Sequence, residues 1–303
     1  MDKEQPYFSV ILPVFNRRNK ISEAIQSVLN QSYTNWELLV IDDCSTDDTA
    51  NIILAYTDSR INYLKNLKNQ GPAGSRNNGI KNAKGKIISF LDSDDQYFPD
   101  FLEKTFQVLK LVNPNVGFIW TGLEVIYSSG KKIELWVPEI TVSPYYTFLK
   151  ELRIGTNSGL SIRKEVFDEC GGFNESLTAA EDTELLLRIV RKYQFTQVKE
   201  PLINIDKSGR DRLSLDYKKN AFSYNKFIAQ HWPFISKFPE LKKKFSYKLM
   251  WLNYHLSEIK TARHYFKEFR DDFGFDFKVV LVYLIFEVFG TKLGARIHIL
   301  LSK

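Results

Sequence analysis

Apolar residues in the first 121 positions fall into short continuous runs separated by stretches with helical spacing. Phe8–Leu12, Trp36–Ile41, Ile61–Leu64, Lys86–Leu91 and Val116–Thr121 are four to six residues long, and the first, second and fourth are stopped by Pro13, Asp42 and Asp92, as buried strands are. Between them, Ile21, Ala24, Ile25, Val28 and Leu29 repeat at three and four, which predicts a helix. Ser45–Asp48 supplies capping residues ahead of Ile52, Ile53 and Tyr56 for a second helix. Gly71–Gly74 opens a third, ending near Gly85. Pro99 suits the first position of a fourth that runs to Leu111. Strands alternating with helices predict βαβ units and a mostly parallel sheet.

From 122 to 206 the pattern loosens. Glu124–Tyr127 and Lys131–Leu135 flank Ser128-Ser129-Gly130 as a hairpin would. Gly159–Arg163 reads as a strand and Gly171-Gly172-Phe173 as a turn. Glu181–Lys192 reads as a helix with Leu185, Leu186, Ile189 and Val190 inward. Val198–Ile205 is extended, with Pro201 predicting a sheet edge. Beyond 215 the pattern is helical throughout, so a body of residues 1–206 and an extension of 207–303 are expected.

Charge and aromatic content sharpen that division. The net charge of +6 conceals a slightly acidic body and an extension with 19 Lys and Arg against 9 Asp and Glu. The extension also holds 20 of the 43 aromatic residues. Two cysteines, Cys44 and Cys170, exclude a disulfide framework and fit a reducing compartment. The N-terminus has neither a basic segment nor an apolar core of a signal peptide. The run Val279–Phe289 is too short for the roughly 20 residues that cross a bilayer. A cytoplasmic protein, peripheral on the membrane if it meets one, is therefore expected.

In a parallel sheet, ligands bind beyond the carboxyl ends of the strands. Three polar clusters lie there: Pro13-Val14-Phe15-Asn16-Arg17, Asp42-Asp43, and Asp92-Ser93-Asp94-Asp95. Three carboxylates in four residues repel one another, and a hard divalent cation shared with substrate phosphates relieves the repulsion. A solvated acidic turn is the alternative. Asp42 and Asp43 could accept hydrogen bonds from a base imide or ribose, or could close a turn and cap a helix. In the segment Asn69–Gly79, backbone amides and Arg76 could face a diphosphate, or Arg76 could pair with a local carboxylate. Glu181-Asp182 begins a helix, where the dipole favours acids; in a cleft, such a carboxylate could serve as a general base. Glu184 and Arg188, four apart, read as an ordinary helix pair. All four histidines lie beyond 206, so His-dependent nucleophilic catalysis and a His zinc site are excluded from the body. Neither GxGxxG after the first strand nor GxxxxGK[ST] is present.

Taken in order, Val10–Asn16, Ser27–Ser32, Glu37–Asp43, Gly71–Gly79, Phe90–Asp95, and Gly171–Glu175 with Glu181–Leu185 resemble the family 2 inverting glycosyltransferases of the GT-A fold, over about residues 7–206. The resemblance implies a GT-A α/β body with a helical C-terminal extension. It implies that Pro13, Phe15, Asn16 and Arg17 line a nucleotide pocket with Phe15 near the base. Asp42 and Asp43 would hold base and ribose, Arg76 would lie near the base or phosphates, and Asp92 with Ser93 would sit at the nucleotide. Asp94 would ligate Mn²⁺ or Mg²⁺ on the diphosphate, and Asp182, with Glu181 beside it, would be the general base. The implied partners are a nucleotide-sugar donor, UDP-linked by expectation, and a glycan or polyprenyl-diphosphate-linked acceptor. Many relatives carry an Arg-x-His-like segment after the last body strand. Here Ile203–Arg212 has no histidine, and Lys207, Arg210 or Arg212 could neutralise the diphosphate instead.

The extension interleaves aromatics with Lys and Arg, Lys242–Lys244 lying between Phe238 and Phe245. It reads either as a membrane-surface element or as a helical subdomain with its own aromatic core. No nucleic-acid-binding module is recognisable. Two rival functions remain at this level. A phosphatase with Asp92 as nucleophile and Asp94 as acid leaves Asp42-Asp43 and Gly71–Gly79 unexplained. A catalytically silent sugar-nucleotide or glycan binding module leaves Glu181-Asp182 unexplained.

Overall fold

The computed structural model describes residues 5–127, 130–151, 157–206 and 217–301, with the side chains of 206 and 217–219 outside the description. The turn residues Ser128 and Ser129, and Lys207, Arg210 and Arg212, lie outside the described residues. Two compact units emerge: Met1–Glu175 with Glu181–Asp211, and Ser176–Ala180 with Arg212–Lys303.

In the first unit β1 (Phe8–Val14), β2 (Trp36–Asp42), β3 (Ile61–Lys65) and β4 (Ile87–Phe90) form a parallel half-sheet in the order β3-β2-β1-β4. β1, β2 and β4 are mostly apolar and buried because both faces are covered, while β3, at the sheet edge, is only partly buried. One layer comprises α1 (Ile21–Leu29), whose Ile21, Ala24, Ile25 and Val28 share a core with Val10, Leu12 and Val40. α2 (Thr49–Leu54) follows β2, and α3 (Gly71–Asn82) packs on β1 and β2. Glycine is required here: a Cβ at Gly79 would lie 2.5 Å from the Ile11 side chain. Chain order reverses between β1 and β4, which opens a crevice at their carboxyl ends.

The other half of the sheet is mixed. It holds β5 (Asp95–Tyr97), β6 (Val116–Tyr127), β7 (Gly130–Glu134), β8 (Leu160–Arg163) and β9 (Gln194–Asp206). β8 runs antiparallel to β4 and β6, while β9 runs parallel to β6. Three expectations change. β6 is one strand through residue 127. Asp95, grouped with the polar cluster of residues 92–95 that ends the fourth strand, opens a short strand, Asp95–Tyr97, on β9. β9 lies between β6 and β5 rather than at an edge, because Pro201 falls opposite Gly122 at a register shift, where the ladder requires no donor from it. α4 (Phe101–Leu111) starts two residues after Pro99, and α7 (Glu181–Ile189) stops before Lys192. α5 (Pro144–Glu151) and α6 (Lys164–Cys170) were not foreseen.

At the amino end of the half-sheet, buried Glu37 accepts hydrogen bonds from Ser9 Oγ at 2.6 Å and from Lys84 N–H at 2.6 Å. Gly85 N–H donates to Ser9 Oγ at 2.8 Å. A Cβ on Gly85 would stand 2.5 Å from the Ser9 backbone nitrogen, so it meets main chain that cannot rotate away. Gly85→Ala is expected to cost about 1–3 kcal/mol by overpacking, read as a lower urea midpoint at unchanged slope.

In the second unit α8 (Tyr217–Ile235), α10 (Ile259–Phe273) and α11 (Phe277–Leu301) each contact α9 (Pro239–His255). Met250, Tyr254, Ala262, Phe269, Val279, Val282 and Phe286 form its core. Tyr254 stacks on Phe286 at 4.6 Å and Phe266 on Tyr283 at 3.8 Å. The aromatics of the extension thus build an interior of their own. No described helix is long and apolar enough to cross a membrane.

Candidate active site at the carboxyl edge of the sheet

The parallel register β1↔β2 pairs Val14 with Asp42, so the loops after β1, β2 and β4 leave the sheet at one rim. Asn16, in the loop after β1, has a φ of 52°, which Asn tolerates better than most residues. Its Oδ1 accepts from Thr46 N–H at 2.8 Å, and its N–H donates to Ser45 Oγ at 3.0 Å. Arg17 N–H donates to Thr49 Oγ1 at 2.9 Å. The first two loops are therefore stitched together. Pro13, within β1, is half-buried beside them, while Phe15 stands 44% exposed at the strand's end.

Asp42 and Asp43 are buried and bonded to the fold. Asp42 accepts from Ser45 N–H at 2.7 Å and from Tyr63 Oη at 2.7 Å. Burial, reinforced by that bond, pushes the Tyr63 hydroxyl well above its ordinary pKa. Asp43 Oδ1 accepts from Asn66 Nδ2 and Gln70 N–H, and Oδ2 from Gly71 N–H, at 2.7 to 2.8 Å. A carboxylate there satisfies the amides that open α3 and anchors that helix to the end of β2.

Arg76 is the centre of the site. It projects from the second turn of α3, is 4% exposed, and joins two motifs 89 positions apart in the chain. Nη2 donates to Asp92 Oδ1 at 2.7 Å, and Nη1 to Glu181 Oε1 at 3.1 Å. Burial opposes the guanidinium charge, but Asp92 and Glu181 outweigh it and raise the Arg76 pKa. Glu181, at the start of α7, moves upward too, chiefly through burial and then through Asp182, against the pull of Arg76. Nε of Arg76 is buried with no partner. Asp182 Oδ1 accepts from its neighbour Thr183 N–H at 2.6 Å.

In the segment after β4, Ser93 and Asp95 are buried and Asp94 is exposed. Ser158 Oγ accepts from Asp92 N–H at 2.9 Å and donates to Asp95, so the residues before β8 shape the acidic loop. Ser158 has no sequence signal, since only folding brings it there. Asn77 was also missed. Its side chain accepts from Phe173 N–H at 2.7 Å and donates to Phe173 O at 2.9 Å, which seats the Phe173 ring 5.4 Å from the Arg76 guanidinium. Glu184 and Arg188 do more than pair along a helix: Arg188 also donates to the carbonyls of Cys170 and Gly172. They fasten the Gly171-Gly172 turn under α7.

Among the described residues no group of three or more His, Cys, Asp or Glu forms a ready metal cage. The donor set nevertheless suits a cation shared with a diphosphate, which needs only one or two carboxylates from the protein. A groove of about 540 Å³ between α1 and β5 is separate from this rim, lined by Glu23, Gln26, Tyr56, Gln96 and Phe98 among others.

The sequence profile of the family described as Glycosyl transferase family 2 matches residues 9–171. The chain is 33% identical over 256 residues to the Escherichia coli UDP-Glc:alpha-D-GlcNAc-diphosphoundecaprenol beta-1,3-glucosyltransferase WfgD, covering 83% of this chain and 93% of that one. It is 30% identical to the putative colanic acid biosynthesis glycosyl transferase WcaA of Escherichia coli K12, covering 80% of this chain and 86% of that one. Among solved structures, Staphylococcus aureus TarS 1-349 in complex with UDP-GlcNAc shares the fold. Its TM-score is 0.60 at 18% identity, over 87% of this chain and 91% of that one.

Proposed function

The chain belongs to glycosyl transferase family 2 and is a glycosyltransferase, and from that premise we propose that it transfers a hexosyl group with inversion from a UDP-sugar to a hydroxyl of a lipid-linked or glycan acceptor in bacterial surface-polysaccharide synthesis. One observation carries the reading. Arg76 ties the acidic loop after β4 to the acids that open α7, at the sheet edge where a nucleotide would lie.

In this reading the exposed ring of Phe15 stacks on the base, with Pro13, Asn16 and Arg17 framing the pocket. Asp43, held by the amides at the start of α3, offers its remaining lone-pair capacity on Oδ2 to a base imide or ribose hydroxyl. Asp42 keeps the adjoining loop in place. Asp92 and Ser93 flank the ribose and diphosphate, and Arg76 orients Asp92 from below. Asp94 would hold Mn²⁺ or Mg²⁺, whose positive charge favours departure of the nucleoside diphosphate. The acceptor oxygen attacks the anomeric carbon while the bond from that carbon to the diphosphate oxygen breaks. Asp182 takes the acceptor's proton, and Glu181, locked on Arg76, places it. No covalent link to the protein forms. The WfgD donor is UDP-Glc and its acceptor a diphosphoundecaprenol-linked sugar, which supports a UDP donor, a polyprenyl-type acceptor and a peripheral position on the membrane.

The direct test is a thermal-shift panel of UDP, GDP, CDP and TDP with and without Mn²⁺, followed by UDP-sugar turnover on a polyprenyl-diphosphate-linked acceptor. A Mn²⁺-dependent shift with UDP is expected, and no shift with any diphosphate would overturn the reading. Asp94→Ala is expected to abolish the Mn²⁺-dependent part of the UDP shift and to leave the ligand-free melting temperature within a few degrees, because Asp94 is exposed. A silent binding module would show the same UDP shift and no turnover.

A further inference from the structure

α11 is apolar on two opposite faces, and only one of them is used. Val279, Val282 and Phe286 enter the core of the second unit. On the other side Phe277, Leu281, Leu284 and Val288 recur at four, three and four residues, so they form one stripe. They are 71%, 40%, 49% and 70% exposed. Phe275, just before the helix, and Phe289 are exposed beside it, and the helix breaks at Gly290, where φ is 70°; in the separate helical segment that follows, Leu293, Leu300 and Leu301 are exposed as well. Single exposed apolar residues need no explanation, but a continuous stripe of this length on a helix does.

The charge beside the stripe identifies its partner. Along α11 the cations are Lys278, Lys292 and Arg296, all exposed, and the one acid is Glu287. Glu287 is consumed internally, accepting from Arg263 at 2.6 Å and from Tyr254 Oη at 2.6 Å. The Lys242–Lys244 cluster, by contrast, is partly spent inside the unit: Lys242 pairs with Asp272 and Lys243 with Asp276. Exposed cations therefore stand at both ends of the stripe, Lys278 at its start and Lys292 and Arg296 beyond Gly290, within a segment of 97 residues that carries ten more positive than negative charges.

We propose that the exposed stripe of α11 docks on an anionic phospholipid bilayer, with Phe277, Leu281, Leu284 and Val288 in the interfacial layer and Lys292 and Arg296 at the headgroups. The inference deepens the acceptor reading above and names the surface that would bring the protein to a lipid-anchored substrate. A second copy of the chain would meet the apolar stripe but also its own cations, so the net positive charge favours the bilayer.

Flotation of the full chain with vesicles tests it. Binding to phosphatidylcholine vesicles containing phosphatidylglycerol is expected, with little binding to phosphatidylcholine alone. The exposed triple variant Leu281→Glu, Leu284→Glu, Val288→Glu is expected to lower partitioning at least about tenfold. Lys292→Glu with Arg296→Glu is expected to lower it less and to flatten its salt dependence. Circular dichroism melting within a few degrees of the parent verifies that the variants fold, and Mn²⁺-dependent UDP binding is unchanged. Absent vesicle binding, or equal binding by the triple variant, overturns the proposal. So does a dimer in light scattering that the triple variant dissolves. Vesicle binding requires neither donor nor acceptor, so its failure leaves the transfer reaction standing, and failed transfer leaves it intact.

Discussion

Arg76→Met is expected to be the most damaging single substitution in the first unit. It removes the cation between Asp92 and Glu181 and leaves two acids, with Asp182 adjacent, facing a buried apolar side chain. Breaking a buried ion pair from one side costs about 3–5 kcal/mol, because the remaining charges lose their compensation. Asp92 retains some solvent, so the lower end of that range applies. The loss depends on pH in a defined direction. Without Arg76, Glu181 is shifted further upward by burial and Asp182, and a folded-state pKa above the unfolded value gives stability that fades as pH rises. The deficit relative to the parent is therefore largest near neutrality and shrinks as pH falls through the carboxylate range. Urea melts of both proteins between mildly acidic and neutral pH check this, and a deficit independent of pH would show that the triad is not ionised as described. Turnover is expected to fall below detection, since Glu181 and Asp92 lose their shared support.

Asp182→Asn should do the reverse: leave the fold and the UDP-dependent thermal shift intact and lower transfer by about 10²–10⁴-fold. The amide keeps an oxygen for the Thr183 N–H and nearly the same shape, so the start of α7 is undisturbed. It cannot take a proton. In the parent, activity is expected to decline as pH falls through the titration of Glu181, which burial and then Asp182 hold above the ordinary glutamate value. Protonating Glu181 weakens its ion pair with Arg76 and so loosens the placement of Asp182. Normal turnover in Asp182→Asn would remove that residue from the base role and return attention to Glu181.

Much of this protein is readable before folding. The four strands of the βα repeat, the helices after them and the start of β6 follow from apolar runs of the right length and period. The polar clusters at strand ends locate a rim, since a parallel register must bring those ends together. Six ordered motifs name the family. The mixed half of the sheet is another matter. β5 is three residues long and polar, with nothing periodic to betray it, and exists because β9 offers it a partner. Pro201 misled because a bulge against Gly122 accommodates what a regular ladder would reject.

The sequence by itself determined which chemical groups the site could contain: acids, one arginine at the opening of α3, and no histidine in the body. It could not decide between Arg76 facing a diphosphate and Arg76 pairing with a nearby carboxylate, because both need the same residue. Only the tertiary structure settles where the guanidinium goes in the folded chain, since Asp92 and Glu181 lie 16 and 105 positions away and meet it through sheet order and helix packing. The same holds for Ser158 and Asn77, ordinary polar residues until the strands and α3 place them, and for α11, whose two apolar faces are indistinguishable until one is buried.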